Sequence, residues 1–482
     1  MKRSLIIPAL FTLTIPAILT ACSADSAGLQ PPVDVPAEVC ISFKVKTDAP
    51  TRAGVPDDWD AKIKTMVGYI TEKGKGDIVA VAQTLLYPES WNETIDNVDI
   101  EYQGNGEYEV MMGVSDALTA EKDYDLYVAA NITGDDLNKI LTARSTSSPN
   151  ELNSLRITTS SASWTKLGCA DVEASKDMPM SCAKPISFRL EKDTEYSREN
   201  PVLVGNSGTD RQKFDLVRAI SRLDFKDESE SGNHQYDIQN SDGSLIAEFK
   251  QITPINLEPS AFMRLTYKTT EAEGLVTIPT GGTQFHASAV DLPTTASDFQ
   301  KVFYMPENVH DHSTLTISNS TGFQLTAVLR PGAKCDADLA AYLNGTKLTA
   351  DGKHPTLYYY DDGVFQSPLR YRDANPGADW FAVKWDDKLG GYAVTYRHTI
   401  RHGGTKGDQS TDTDPTDGDI SPMEYAVVRN HIYQTSVTSV TSLPRRDDPN
   451  DTPESGKQDI SIRINPPAKW TYHRGGFEIS FE

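Results

Sequence analysis

The sequence has no C-x-x-C pair, no G-x-S-x-G, no H-E-x-x-H, no phosphate-binding glycine loop and no dinucleotide fingerprint. Those absences remove the zinc ribbon, the thioredoxin-like redox centre, the serine-hydrolase elbow, the zincin site and nucleotide folds from consideration. Positive charge is also short. Lys and Arg number 46 against 68 Asp and Glu, a net charge of −22. Phosphate-backbone binding needs a basic footprint, and none is visible, so nucleic acid is not an expected partner. Beyond residue 22 no apolar run approaches the ~20 residues of a membrane-spanning helix. Cysteine is scarce: Cys22, Cys40, Cys169, Cys182 and Cys335. Cys169 and Cys182 are close enough in sequence to bridge in an exported protein. Carboxylates are plentiful, but nothing in the spacing singles out a pair for glycoside chemistry, and no catalytic residue is assigned.

What is present begins with a leader. Lys2 and Arg3 precede an apolar run from Leu5 to Leu19, broken by Pro8 and Pro16 and ending in Leu19-Thr20-Ala21-Cys22. The order of charge, apolar run and small residues before Cys22 is similar to a bacterial lipobox, in which the Cys is acylated and the leader removed. A small, Pro-rich tether follows, "SADSAGLQPPVDVPA".

The 482 residues exceed one ordinary core and predict two domains, with a boundary near residue 212. Short period-two runs separated by Gly and Pro turns dominate, which predicts a mainly β chain of β-sandwich domains. The first run is Val39, Ile41, Phe43 and Val45, alternating with Cys40, Ser42, Lys44 and Lys46. Short helices are expected at 135–144, 296–303 and 336–343, the last with Gly345 just past its end. Acidic loop-like stretches lie at 404–419 and 444–459. Beyond them Ile460, Ile462 and Ile464 alternate with polar residues. Pro466-Pro467 follows, then Trp470 and Tyr472, then Phe477, Ile479 and Phe481 in step. The prolines cannot donate ladder hydrogen bonds and predict a bend or a change of sheet between the two terminal strands.

Metal-ligating candidates are weak. His310 and His312 sit beside Pro306 and Asn308 in a predicted turn. His398 and His402 share a predicted strand face without an evident third ligand. The acidic run Asp412 to Asp419 misses the calcium-loop spacing, since Pro415 displaces the third acid and Met423 stands where the closing Glu belongs. It reads as a solvated loop, with calcium in 408–419 left open. No metal and no cofactor are assigned.

Several segments together resemble the Bacteroidales fimbrillins, the subunits of type V pili. "VVRNHIYQTSVTSV" (Val427 to Val440), "FDLVRAISRLDF" (Phe214 to Phe225), "YDLYVAAN" (Tyr124 to Asn131) and "MPMSC" (Met178 to Cys182) are similar to family strands in the family's order. The lipobox, "TRAG" at Thr51 to Gly54 and the Trp470 segment complete the set, and the chain looks closest to the major subunit of the shorter fimbriae. The resemblance implies two transthyretin-like β-sandwich domains and a structural, non-enzymatic role in adhesion. It implies a lipid-anchored precursor in the outer membrane and a mature form in the fimbrium on the cell surface. An Arg-specific surface protease would cut between Arg52 and Ala53, removing the strand that carries Val39, Ile41, Phe43 and Val45. The vacated groove would take a donor strand from another fimbrial subunit, drawn from Ile460, Ile462, Ile464, Trp470, Phe477, Ile479 and Phe481. The implied division is 1–22 signal, 23–52 tether and removable strand, 53–212 and 213–446 the two domains, and 447–482 acidic linker with donor segment. Loss of Cys22 and Cys40 would leave Cys169, Cys182 and Cys335. Other fimbrial subunits, including anchor and tip proteins, and a host glycan or protein are the implied partners. A tip or accessory adhesin fits the same segments, and a surface lipoprotein that binds glycans is the alternative from another class, supported by the lipobox and the aromatic content alone.

Overall fold

The structure is a computed structural model. It describes residues 39–47, 63–75, 77–84, 99–104, 107–114, 118–132, 156–158, 178–182, 184–205, 211–230, 232–258, 260–262, 284, 286–293, 298–308, 316–362, 364–400, 425, 427–445, 450, 459–464 and 468–469. The chain is mainly β, as its alternating runs predict.

The first group of strands is β1 (Val39–Thr47), β2 (Met66–Glu72), β3 (Ile78–Gln83), β4 (Ile100–Gly104), β5 (Glu107–Val114) and β6 (Asp123–Ala130). It continues with β7 (Arg156–Thr158), β8 (Met180–Cys182), β9 (Ile186–Arg189), β10 (Val202–Leu203) and β11 (Lys213–Arg218). All but β7 join one sheet, whose neighbours run β1-β11-β8-β6-β2-β3-β5. Because β5 also pairs with β1, the path closes on itself. Two links of that ring are narrow, with two residue pairs each at β3–β5 and β6–β8. The ring therefore flattens into a two-faced sandwich around Tyr69, Val110, Met112, Leu126 and Phe214. The Tyr69 and Tyr127 rings stack 5.5 Å apart across β2 and β6, a geometry that favours aromatic cross-strand pairs.

The second group is β12 (Ile220–Lys226), β13 (Gln235–Asp237), β14 (Leu245–Ile255), β15 (Ser260–Phe262), β16 (Val290–Asp291), β17 (Gln300–Pro306) and β18 (Gly322–Pro331). Helix α1 (Ala337–Leu343) follows, then β19 (Leu357–Tyr360), β20 (Arg370–Tyr371), β21 (Trp380–Asp386) and β22 (Gly391–Thr399). The last strands among the described residues are β23 (His431–Val440), β24 (Ile460–Ile464) and β25 (Ala468–Lys469). One sheet runs β17-β12-β23-β24 and the other β13-β14-β18-β22-β21-β19-β20. Their apolar faces share a core of Leu223, Phe225, Phe249, Leu325 and Tyr433.

One local expectation changes. The helix predicted at 296–303 is absent: Gln300–Pro306 is strand β17, paired with β12. Its Val302, Phe303 and Tyr304 are β-branched or aromatic, and burial beside β12 outweighs the helical tendency of the preceding residues. The bend or change of sheet expected at Pro466-Pro467, between Ile460–Ile464 and the Trp470 segment, falls on residues outside the described ones. Both β24 and β25 pair with β23. From Ile464 to Ala468 is four residues, while their partners Thr435 and Ile432 are three apart. Helix α1 does form where expected: Asp336 caps it by accepting from the Leu339 N–H at 2.8 Å, and Gly345 adopts φ +68° just beyond it. The region 135–144 lies outside the described residues.

The two groups of strands meet at a buried polar junction. The chain passes from the first sheet to the second between Arg218 and Ile220. Arg429, fully buried, forms a bidentate ion pair with buried Glu307, its Nε donating to Oε2 at 2.7 Å. Its Nη1 donates to Ser181 Oγ of β8 at 3.2 Å. Asn430, in the left-handed region at φ 58°, accepts at Oδ1 from Arg218 Nη1 at 3.3 Å and donates its N–H to the Ile220 carbonyl. The Arg-Asn-His run thus couples β8, the β11–β12 passage and β23. Removing one partner of a buried pair strands the other charge. Glu307→Ala is expected to lower unfolding free energy by about 3–5 kcal/mol, read as a shift in the urea midpoint. A paired apolar replacement, Arg429→Met with Glu307→Leu, should recover most of that loss.

Candidate functional site

The site is the slot that β1 occupies. β1 is flanked on both edges. On one it runs antiparallel to β5 through eight consecutive pairs, from Val39↔Val114 to Lys46↔Glu107. On the other it runs parallel to β10 (Ile41↔Val202, Ser42↔Leu203) and then to β11 (Lys44↔Lys213 through Thr47↔Leu216). The period-two sequence sends Val39, Ile41, Phe43 and Val45 into the core, the last three with no exposed surface. Phe43 meets the Phe214 ring edge-on at 5.4 Å. Four such side chains at roughly 1.5–3 kcal/mol each represent about 6–12 kcal/mol of burial, an upper figure because unfolded chains already hide some surface. β1 is therefore the member that joins β5 to β10 and β11. Without it the ring opens and two ladder edges lose their partner.

The outer face of β1 is covered as well. Cys40 and Ser42 are 1% and 2% exposed although they point away from the core. The Arg211 guanidinium lies over Ser42. Its Nη2 donates to the Ser42 carbonyl and, at 3.2 Å, to Ser42 Oγ; its Nε donates to the Val204 carbonyl at 3.1 Å. Its Nη1 pairs with Glu109 Oε1 at 3.0 Å, and Ser42 Oγ donates to the same carboxylate at 3.2 Å. Lys213 pairs with Glu107 two residues further along each flanking strand. Two ion pairs thus bridge β5 to the β10–β11 side across the back of β1. Arg211 is held there by a narrow neck, in which the Gln212 N–H donates to the Gly205 carbonyl at 2.9 Å. Gly205 has φ +91°, and a Cβ on it would stand 2.7 Å from the Gln212 carbonyl oxygen, so only glycine fits. Spacing alone did not reveal Arg211, which lies 169 residues from Ser42.

Arg211→Ala is expected to remove three donor contacts to backbone and side chain inside the slot. Hydrogen bonds from a charged donor are worth roughly 1.5–3 kcal/mol, while the half-exposed Glu109 contact adds little. A loss of about 2 kcal/mol in chemical unfolding is the predicted result, together with faster hydrogen exchange of the β1 amides.

The other predicted residues fall as follows. Ile460–Ile464 forms β24, antiparallel to β23 of the same chain, with Ile460 buried and Ile462 packed against the core. Asp459 anchors its start, accepting from Ser442 Oγ at 2.8 Å and from the Arg445 N–H at 2.6 Å. Cys40, Cys182 and Cys335 form no disulfide among the described residues, and the Cys182 sulfur accepts from the Val128 N–H at 3.3 Å. His398 packs against the Phe323 ring at 5.4 Å, and desolvation pushes its pKa down to about 4, so it is neutral at pH 7. Among the described residues no group of three His, Cys, Asp or Glu is arranged to hold a metal ion. Cys22, Arg52, Ala53, Cys169, His310, His312, His402, the 408–419 loop, Trp470, Phe477, Ile479 and Phe481 lie outside the described residues.

No protein-family model matches the chain, and no curated protein matches it. Solved structures do. The tip fimbrial protein Mfa3 from Porphyromonas gingivalis, with a C-terminal truncation, is similar at 12% identity and TM-score 0.42, covering 90% of this chain and 100% of its own. A cell adhesion protein from Parabacteroides distasonis is similar at 12% identity and TM-score 0.45, covering 90% and 97%. Another from Bacteroides eggerthii is similar at 11% identity and TM-score 0.38, covering 90% and 97%. Likenesses of this extent carry no argument about function, which is read from the slot.

Proposed function

We propose that the chain is a structural subunit of a surface fimbria that polymerises by strand exchange and serves adhesion. The observation that carries this is β1. It is a central strand with a fully buried inward face that closes the ring, yet it ends five residues before Arg52. It is followed by "DAPTRAGVPDD", a polar stretch suited to a protease.

In this account Cys22 carries lipid and holds the precursor at the outer membrane. An Arg-specific protease cuts between Arg52 and Ala53. Residues 23–52 then hold on only through non-covalent contacts, and a strand from another subunit replaces them, adding to the edges of β5 and β11. The donor comes from the segment that includes Ile460, Ile462, Ile464, Trp470, Phe477, Ile479 and Phe481. β24 is already paired with β23, so the residues beyond Lys469 supply the part that reaches the next subunit. The product is a polymer, not a catalyst, and needs no cofactor.

Immunogold electron microscopy of cells tests the role. Label spaced along the shaft of surface fibres is the expected result. Label confined to the cell envelope, with no fibre, would contradict it, and label at fibre ends alone would favour a tip adhesin.

A further inference from the structure

The slot is more selective than an apolar groove. Its inner face has an aliphatic site at Ile41 and an aromatic site at Phe43, both closed to solvent. On its outer face Arg211 rests on Ser42, a position that suits a small hydroxyl side chain. The tripeptide Ile-Ser-Phe that fills the centre, 41–43, occurs three times in the chain, again at 186–188 and at 479–481. The copy at 186–188 is strand β9, paired with β6, and it too buries Ile186 and Phe188 while Ser187 faces outward to Asp125. Both described copies therefore place Ile and Phe in the core and Ser on the outer face.

Resting on the strand-exchange reading, we propose that the third copy enters the slot of a second molecule in the register of the first. Ile479 takes the place of Ile41, Ser480 of Ser42 and Phe481 of Phe43, running antiparallel to β5 as β1 does. Phe481 then meets Phe214, and Ser480 meets Arg211. Phe477 falls at the Val39 position, the least buried of the four inward sites. Glu478 falls at the Cys40 position, opposite Gly113.

The competing registers fit worse. A slip of two residues puts Phe477 into the Ile41 site and Ile479 into the Phe43 site, overfilling one and leaving a void in the other. Reversing the strand about Ser480 makes the same mismatch. The segment Ile460–Ile464 offers no aromatic for the Phe43 site and is already paired with β23.

Engineered cysteine pairs read the register. Opposite residues share a face, so Ser480→Cys should bridge to Met111→Cys, and Glu478→Cys to Gly113→Cys, between subunits of polymer formed from the full processed chain and exposed to copper-catalysed air oxidation. Peptide mass spectrometry separates these bridges from native cysteines. Bridging of Ser480→Cys to Glu109→Cys instead would show a slip or a shift and overturn the register while leaving strand exchange standing. Polymer that forms without any of these bridges overturns the register too. A processed chain that does not polymerise at all would count against the underlying reading. Truncations give a measure free of disulfides: Phe481→Ala should speed subunit dissociation by about tenfold or more, as expected for emptying a closed aromatic site, and Phe477→Ala by far less. The reverse order would contradict the placement.

Discussion

Arg52→Ala is expected to leave the precursor uncut, β1 in its slot and cells without fibres. The reason is competition. While β1 is part of the chain, its return to the slot is intramolecular, at an effective concentration in the millimolar range. It fills the ring with four buried side chains and eight paired residues along β5. A donor from another molecule offers similar contacts at a far lower concentration, so it cannot displace the resident strand. Cutting after Arg52 removes that advantage, because residues 23–52 can then leave and be diluted. Arg52→Lys should behave like Arg52→Ala toward an Arg-specific protease, since Lys lacks the planar guanidinium such a site recognises. Immunoblots of surface fractions and electron microscopy report the outcome. Fibres built of subunits that still carry Ile41 and Phe43 would show that exchange does not require the slot to be vacated.

Removing the C-terminal segment is the second large effect. A chain ending at Lys469 should fold, be processed and remain monomeric, because it keeps its slot but lacks a donor. The boundary matters. Deleting 460–482 would also remove β24, strip Ile460 from the core and bare the β23 edge, and an uncovered edge invites unspecific pairing. Stopping after β25 leaves that sheet covered. Size-exclusion chromatography with light scattering should give one monomer peak for the shorter chain under conditions in which the full processed chain elongates. Normal polymer from the chain ending at Lys469 would refute a donor role for Trp470, Phe477, Ile479 and Phe481.

The parts of this structure that alternate locally were readable from the sequence. Val39 to Val45 and Glu107 to Val114 declare their faces by period two, and Asp336 with Gly345 frames the one helix among the expected three that the structure describes as helical. The segment 296–303 misled because its first half is rich in residues tolerant of helix, whereas β17 is decided by its partner β12, far away in sequence. What defines the slot was not legible at all. Ring closure joins β1 to β11, about 170 residues on, and the hydrogen bond from Arg211 to Ser42 spans 169 residues. Nor does the Arg429-Asn430-His431 run disclose that its Arg is a buried pair with Glu307, 122 residues earlier. Such contacts follow from topology, which residue types and spacing constrain only loosely.

The central claim is that β1 is temporary. Its most direct test is the N-terminal residue of the mature subunit taken from surface fibres, measured by mass spectrometry of the intact chain. The account predicts Ala53, with residues 39–47 absent from the polymer. A surface form that begins at a lipid-modified Cys22 and retains Val39 to Thr47 would contradict it.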